Sequence, residues 1–363
     1  MTEINLMDKE LVHVFRLFFE DMPVRFEVRN TSHGGGDFRE AVLAEWETGE
    51  RYVIKLADND FTFAEKIEAW KRSAEEYVKL GYYCPVIIRS LNGDFPTVRY
   101  KGHSCAAYAE EYSKYRSAEE FYKNDPSNRS YMDDALIMTA KAAAAGFDFT
   151  DYPSGYCLFD TFCPSDATDE VLENALEWKK YAGTLPAEFQ PQVQSIWQRW
   201  EDNRKKLEII YAWLPTSVFQ ADLNPSNILL DGRGKFVGVF DFNLCGKDVL
   251  LNYLFRELYY YDVNDILLVL QKISEYYRFS DAEKEAAPLI YRCVAPLWFT
   301  RTDKLKKAGD DMSAVKKCLD ETEELQTREI DFSSHMNISG LRNNTVTQSP
   351  SSHTGSSFPS SKR

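Results

Sequence analysis

The 363-residue sequence has no run of 18 apolar residues, because Lys, Arg, Asp or Glu interrupts every candidate stretch, so no α-helical membrane span is expected. Its seven cysteines (Cys84, Cys105, Cys157, Cys163, Cys245, Cys293, Cys318) include no Cys-x-x-Cys pair, which excludes a zinc ribbon or a dithiol redox motif. They are odd in number and scattered, and the N-terminus does not read as a secretory leader; reduced thiols in a cytoplasm are the expectation. Histidine is scarce, and none of His13, His33, His103, His335 and His353 falls in the helical portion downstream. That argues against a Ser-His-Asp hydrolase and a His-rich metal site. Neither G-x-x-x-x-G-K-[ST] nor a well-placed G-x-G-x-x-G occurs. Basic charge is also short: 43 Lys+Arg face 57 Asp+Glu, a net −14, whereas a nucleic-acid binder needs basic surface. What is abundant is core-forming material, 44% hydrophobic with 21 Tyr and 23 Phe, in a chain long enough for two lobes sharing a cleft.

The chemistry that remains is carboxylate chemistry, and it concentrates in one place. Gln220-Ala221-Asp222-Leu223-Asn224-Pro225-Ser226-Asn227 is followed fourteen residues after Asn227 by Asp241-Phe242-Asn243. Between them Ile228–Leu230 reads as a short strand, Asp231-Gly232-Arg233-Gly234 as a turn and Phe236–Phe240 as the returning strand. A hairpin closed at that turn brings its open ends together, so Asn227 and Asp241 face one small volume. An amide oxygen and a carboxylate suit Mg²⁺, a hard ion with oxygen ligands, and Asp222 just upstream is placed to accept the proton of an attacking hydroxyl.

These residues resemble the aminoglycoside phosphotransferase and choline kinase-like superfamily of small-molecule kinases. Its members show a histidine, a small residue, D-x-x-x-x-N and a later D-x-D-like triplet. The resemblance implies that Asp222 is the catalytic base and that Asn227 and Asp241 hold the metal. Gln220 stands where that histidine is usual and Asn243 where a second acid is common. Glutamine can take over an orienting role through hydrogen bonds. The same two departures motivate the alternative reading, a catalytically inactive nucleotide-binding pseudokinase module.

A nucleotide lobe is legible upstream. Arg25–Arg29 and Ala41–Trp46 read as strands around Thr31-Ser32-His33-Gly34-Gly35-Gly36, and Gly34, Gly35 and Gly36 let backbone amides approach phosphates. Arg51–Leu56 is a third strand, and Lys55 in Val53-Ile54-Lys55 sits where kinases place the phosphate-contacting lysine. Its partner is expected on the helix Phe63–Leu80, with Glu68 favoured and Glu75 second. Short strands at 86–88, 97–100 and 104–109 follow. The segment Ala109-Glu110-Glu111-Tyr112 is then the expected hinge, with Glu110 and Glu111 presenting backbone groups to the adenine edge.

Helical patterning dominates downstream, over 118–122, 131–145, 170–178, 191–211, 249–261, 265–277, 282–301 and 308–328. The aromatic and acidic stretch Glu257–Asp262 is a candidate wall for an acceptor pocket. From Ser333 to the end there are ten serines and no Asp or Glu, a composition expected to be disordered. The expected fold is α+β and bilobal, protein-kinase-like: an N-terminal antiparallel-sheet nucleotide lobe (1–109), a larger, mostly helical catalytic lobe (110–332) and a tail (333–363). The expected activity is ATP- or GTP-dependent transfer of a γ-phosphoryl group, with Mg²⁺, to a hydroxyl of a small molecule (aminoglycoside-, amino-alcohol- or sugar-like). No A-P-E tripeptide or long activation segment follows Asp241, which separates it from protein kinases. Neither nucleic acid nor membrane is an expected partner, and the oligomeric state is left open.

Overall fold

A computed structural model of the chain describes residues 2–3, 9–32, 36–159 and 169–337. Its first part is an antiparallel sheet of seven strands: β1 (Thr2–Glu3), β2 (Arg25–Asn30), β3 (Phe38–Glu45), β4 (Arg51–Asp58), β5 (Ile87–Ile88), β6 (Thr97–Tyr100) and β7 (His103–Glu111). They lie in the order β1-β2-β3-β4-β7-β5, with β6 also paired to β7. The period-2 alternation of side chains splits this sheet into two faces. Ile54 and Leu56 on β4, with Cys105, Ala107 and Ala109 on β7, pack under helix α1 (Lys9–Phe18) through Leu11, Phe15 and Phe18. The intervening residues Lys55, Ala106 and Tyr108 therefore face the other way, toward helix α2 (Ala64–Lys79) and the helical half.

That half contains β8 (Arg116–Ser117), α3 (Ala118–Phe121), α4 (Met132–Ala145), α5 (Glu170–Ala182), α6 (Gln190–Tyr211), β9 (Thr216–Phe219), β10 (Ile228–Leu230), β11 (Phe236–Val239) and β12 (Gly246–Val249). Helices α7 (Leu250–Glu257), α8 (Val263–Ile273), α9 (Asp281–Val294), α10 (Phe299–Ala308), α11 (Met312–Thr327) and α12 (Phe332–His335) complete it. Local signals set several ends. Gly146 adopts φ 60° and closes α4, as a C-cap glycine does without steric cost. Ser280 and Glu283 form a reciprocal capping box at the start of α9. One continuous core joins Trp70 and Tyr77 of α2 and Tyr108 of β7 to Trp178, Trp200, Phe219 and Ile290. The sheet half and the helical half are thus sealed together along α2.

Three sequence-based expectations need correction. The run 282–301 is not one helix: Pro296 cannot donate a backbone hydrogen bond, and α9 ends before it while α10 begins after it. The helix expected at 249–261 is only α7: it stops at Glu257, and Val249 belongs instead to β12, paired with β9, Gly246 opposite Phe219 and Val249 opposite Thr216. Order also runs past the expected boundary at Ser333, since α12 continues to His335 and Met336 is buried. The rest of the expected tail, from 338 on, lies outside the described residues. Among the described residues six cysteines are present and none is bridged, and no helix is long and apolar enough to cross a membrane.

Candidate active site

The site begins with the hairpin. Strands β10 and β11 pair Ile228 with Val239 and Leu229 with Gly238, and the Asp231 carboxylate accepts from the amides of Arg233 (2.8 Å) and Lys235 (3.0 Å) to shape the turn. At the open end Phe240 N donates to Asn227 O at 3.1 Å. Asn227 and Asp241 are thereby held side by side, as the spacing implied.

Gln220 ties this end to the loop that carries Asp222. It is fully buried; its Oε1 accepts from Asp222 N (2.9 Å), and its Nε2 donates to Phe240 O (3.0 Å) and Asp241 O (2.9 Å). One amide side chain therefore fixes both loops. The fixation is tight enough to hold Ala221 (φ 74°) and Asp241 (φ 59°) in the left-handed region, a conformation that costs non-glycine residues energy and recurs at functional sites. Asp222 Oδ2 accepts from Asn227 Nδ2 (2.9 Å) and its Oδ1 from Asn224 N (3.1 Å). Burial pushes the Asp222 carboxyl above the usual range and the charge of Asp241 adds to this, against the Asn224 amide, Arg256 and Asn227. A carboxylate so raised is a better proton acceptor than a solvated one.

Asp222, Asn227, Asp241 and Asn243 line a single cavity of about 460 Å³ together with Lys55. The Lys55 ammonium lies 2.9 Å from Asp241 Oδ1 and 3.1 Å from Glu110 Oε1. Burial alone would lower its pKa, but Asp241 and Glu110 hold it well above the ordinary lysine value. The expected partner Glu68 is not involved: it faces solvent on α2 and binds Arg89, while Glu75 binds Lys71. Nor do the amides of the expected hinge stand free. Glu110 and Glu111 are the last residues of β7, where Glu111 N donates to Val86 O and Tyr112 N to Arg51 O, both at 3.0 Å. Glu110 meets the site through its side chain. Gly36 (φ 94°) ends the glycine loop before β3; Gly34 and Gly35 lie outside the described residues.

Sequence reasoning missed part of the lining: Thr31, Arg39, Thr62, Trp70 and Tyr108 on the sheet side, Tyr156 and Glu170 on the helical side. Glu170 and Tyr156 are held from behind by the buried Arg256, whose guanidinium bonds Glu170 Oε2 at 3.0 and 3.1 Å and stacks 3.8 Å over the Tyr156 ring. No motif marks Tyr156 and Glu170, because they are brought together by Arg256, which lies 86 residues beyond Glu170 along the chain. The stretch Glu257–Asp262, expected to wall an acceptor pocket, does not reach the cavity. Its Glu257 carboxyl instead lies beside Leu223 of the Asp222 loop, and Tyr259 packs on Trp298 and Phe299.

The oxygen donors fit a hard divalent ion. Among the described residues no group of three or more His, Cys, Asp or Glu gathers as a metal site. Asp241 and Asn227 are the two oxygen donors that would hold such an ion, which Mg²⁺ usually accepts together with water and phosphate oxygens.

An antiparallel-sheet half and a helical half that share a cleft carrying a lysine, a loop aspartate and a second Asn/Asp pair define a kinase-like small-molecule phosphotransferase. Residues 32–252 match the phosphotransferase enzyme family, and the chain belongs to that family; it is a kinase. Solved structures agree on the fold. An aminoglycoside phosphotransferase from Alicyclobacillus acidocaldarius superposes with a TM-score of 0.53 at 12% identity, covering 92% of this chain and 96% of that one. Amicoumacin kinase hAmiN, in complex with AMP-PNP, Ca²⁺ and Ami, gives 0.51 at 14% identity over 90% and 97%. A microcompartment-associated aminopropanol kinase gives 0.50 at 12% over 88% and 95%. No curated protein sequence matches the chain.

Proposed function

We propose that the protein transfers the γ-phosphoryl group of ATP or GTP to a hydroxyl of a small, amine-bearing molecule, with Asp222 as the base. The observation that carries this reading is the convergence of Lys55, Asp222, Asn227 and Asp241 on one cavity at the seam between the two halves. In this reading Lys55 and the glycine loop position the phosphates. Asp241 and Asn227 would hold Mg²⁺, which would supply positive charge to screen the phosphates. Asp222 orients the acceptor hydroxyl and takes its proton. The protein does little covalent work, so alignment and electrostatics supply most of the acceleration. The acceptor would enter from the helical side, between Tyr156, Glu170, Asn224 and Asn243, where one carboxylate and two side-chain amides offer acceptors to an amine. The aminoglycoside and aminopropanol named for two similar structures are acceptors of that kind. The three hydrogen bonds of Gln220 support an assembled site.

The test is release of ADP or GDP, with Mg²⁺, from a panel of aminoglycosides, amino alcohols and sugars. Turnover with at least one acceptor, abolished by removing Mg²⁺, is the expected result. A melting temperature that rises with nucleotide while no acceptor gives turnover would establish the pseudokinase instead.

A further inference from the structure

We propose that Glu110 is the positioning residue for Lys55, so that the phosphate-binding lysine is aligned from within the sheet and owes nothing to a carboxylate on helix α2. This rests on the kinase reading and names a residue that the reading does not require. In protein kinases the corresponding ion pair is made by a helix glutamate, so that moving the helix assembles or dismantles the site. Here α2 has no acid to offer. The side chains it buries are Lys66, Ile67, Ala69, Trp70, Ser73, Ala74 and Tyr77, and its glutamates are turned outward. Glu68 is engaged with Arg89, Glu75 with Lys71, and Glu76 with Arg72 and Lys79.

The strand register explains how Glu110 takes the place of such an acid. Lys55 stands opposite Tyr108 and Val53 opposite Glu110, so Glu110 is the next residue on the same face of β7 and reaches Lys55 diagonally. Strand β7 is paired on both sides, Glu110 opposite Val53 and opposite Ile87, which makes its position as rigid as the sheet itself.

The two carboxylates on Lys55 differ in exposure, and the difference divides their work. The Asp241 side chain is 33% exposed and opens to the cavity, whereas that of Glu110 is 9% exposed and sealed behind the lysine. When Asp241 is engaged with a metal ion, Glu110 is the carboxylate that still holds the ammonium charged and aimed. The Lys55–Glu110 pair so built lies within the sheet and draws no carboxylate from α2.

Three variants test this: E110Q, E110D and E68Q. Steady-state kinetics with MgATP or MgGTP should show the KM for nucleotide raised at least tenfold in E110Q with a smaller change in kcat. E110D, which restores the charge, should recover most of that loss, and E68Q should stay within twofold of the wild type. A second readout needs no turnover: the folded protein is treated with limiting acetic anhydride at pH 8, then digested, and acetylation of Lys55 is read by mass spectrometry of the peptide that carries it. E110Q loses one of the two carboxylates that hold the Lys55 nitrogen in place, so it should react at least threefold faster than the wild type and E110D at the wild-type rate. Equal acetylation rates in E110Q and wild type, an unchanged nucleotide KM in E110Q, or a damaging E68Q would each overturn the proposal. If E110Q does not fold, E110D decides by the same two readouts, where fast acetylation or an E110Q-like KM overturns it. If the wild type turns over no acceptor, the kinase reading fails while the acetylation rates still judge the Glu110–Lys55 pair.

Discussion

Asp222 is where the chemistry can be tested with one atom group. Its carboxylate accepts from Asn227 and Asn224 and faces the cavity, while the groups expected to hold phosphates and metal are on other residues. Asp222→Ala is therefore expected to lower kcat by about 10²–10⁴, the usual worth of a positioned base, with nucleotide affinity changed less than threefold by calorimetry. Gln220 calls for a different outcome. Its removal unpairs the Asp222 amide and the Phe240 and Asp241 carbonyls in a fully buried setting. Gln220→Ala should cost about 3 kcal/mol in denaturant unfolding and lower kcat at least tenfold, because Ala221 and Asp241 lose what holds them at positive φ. Much of this site was legible in the sequence because it is local: Asp222, Asn227 and Asp241 lie within twenty residues, and a hairpin closes the distance. Glu110 was named, yet for its backbone. Its true contact depends on the register between β4 and β7, which no spacing in the chain reveals.

Elements couple the two halves at points where backbones nearly touch. The residues after α2 cross the catalytic hairpin: Tyr83 N donates to Val237 O (2.8 Å) and Val239 N to Tyr83 O (3.1 Å). A Cβ on Gly238 would meet Tyr83 O at 1.8 Å, so only glycine permits this crossing. Gly238→Ala should destabilise the fold by about 3 kcal/mol in chemical denaturation, since backbone and not a flexible side chain must yield. Helix α7 supplies a second coupling and a pH dependence. Burial pushes its terminal Glu257 carboxyl up to about 7 while Arg256 opposes the rise. The folded protein thus binds a proton there that the unfolded chain has released above its ordinary value near ~4.3. Stability from this group is fully present below that value and is lost as pH rises to about 7. Glu257→Gln keeps the size of the side chain and removes the titrating proton, and should therefore gain melting temperature relative to the wild type between pH 5 and pH 8. A constant difference across that range would refute the buried-carboxyl account. Elements with strong patterns, α2, α4 and α6, were readable. Strand β12 was not, since Gly246-Lys247-Asp248-Val249 has no alternation of its own and is extended only because β9 pairs with it.

At the scale of the whole molecule, one core runs from α2 and β7 through the helices, so the halves are expected to melt together and to report ligand binding as one unit. A ligand that binds only the folded state adds about 2.7 kcal/mol at a hundred times its Kd, whichever lobe it touches. For a chain of this length that is a rise of roughly 3–5 °C in melting temperature. The Mg²⁺-dependent part of the rise should belong to Asp241. Its Oδ1 already faces Lys55 in the cleft, and with Asn227 it forms the donor pair that we propose for the metal. Asp241→Asn keeps the size of the side chain and removes its charge, so nucleotide alone should still stabilise the variant through Lys55 and the glycine loop. Adding Mg²⁺ should then contribute less than 1 °C, against about 3 °C or more in the wild type. If Mg²⁺ stabilised both proteins equally in the presence of nucleotide, the ion would sit elsewhere and the division of labour between Asp241 and Glu110 would have no basis.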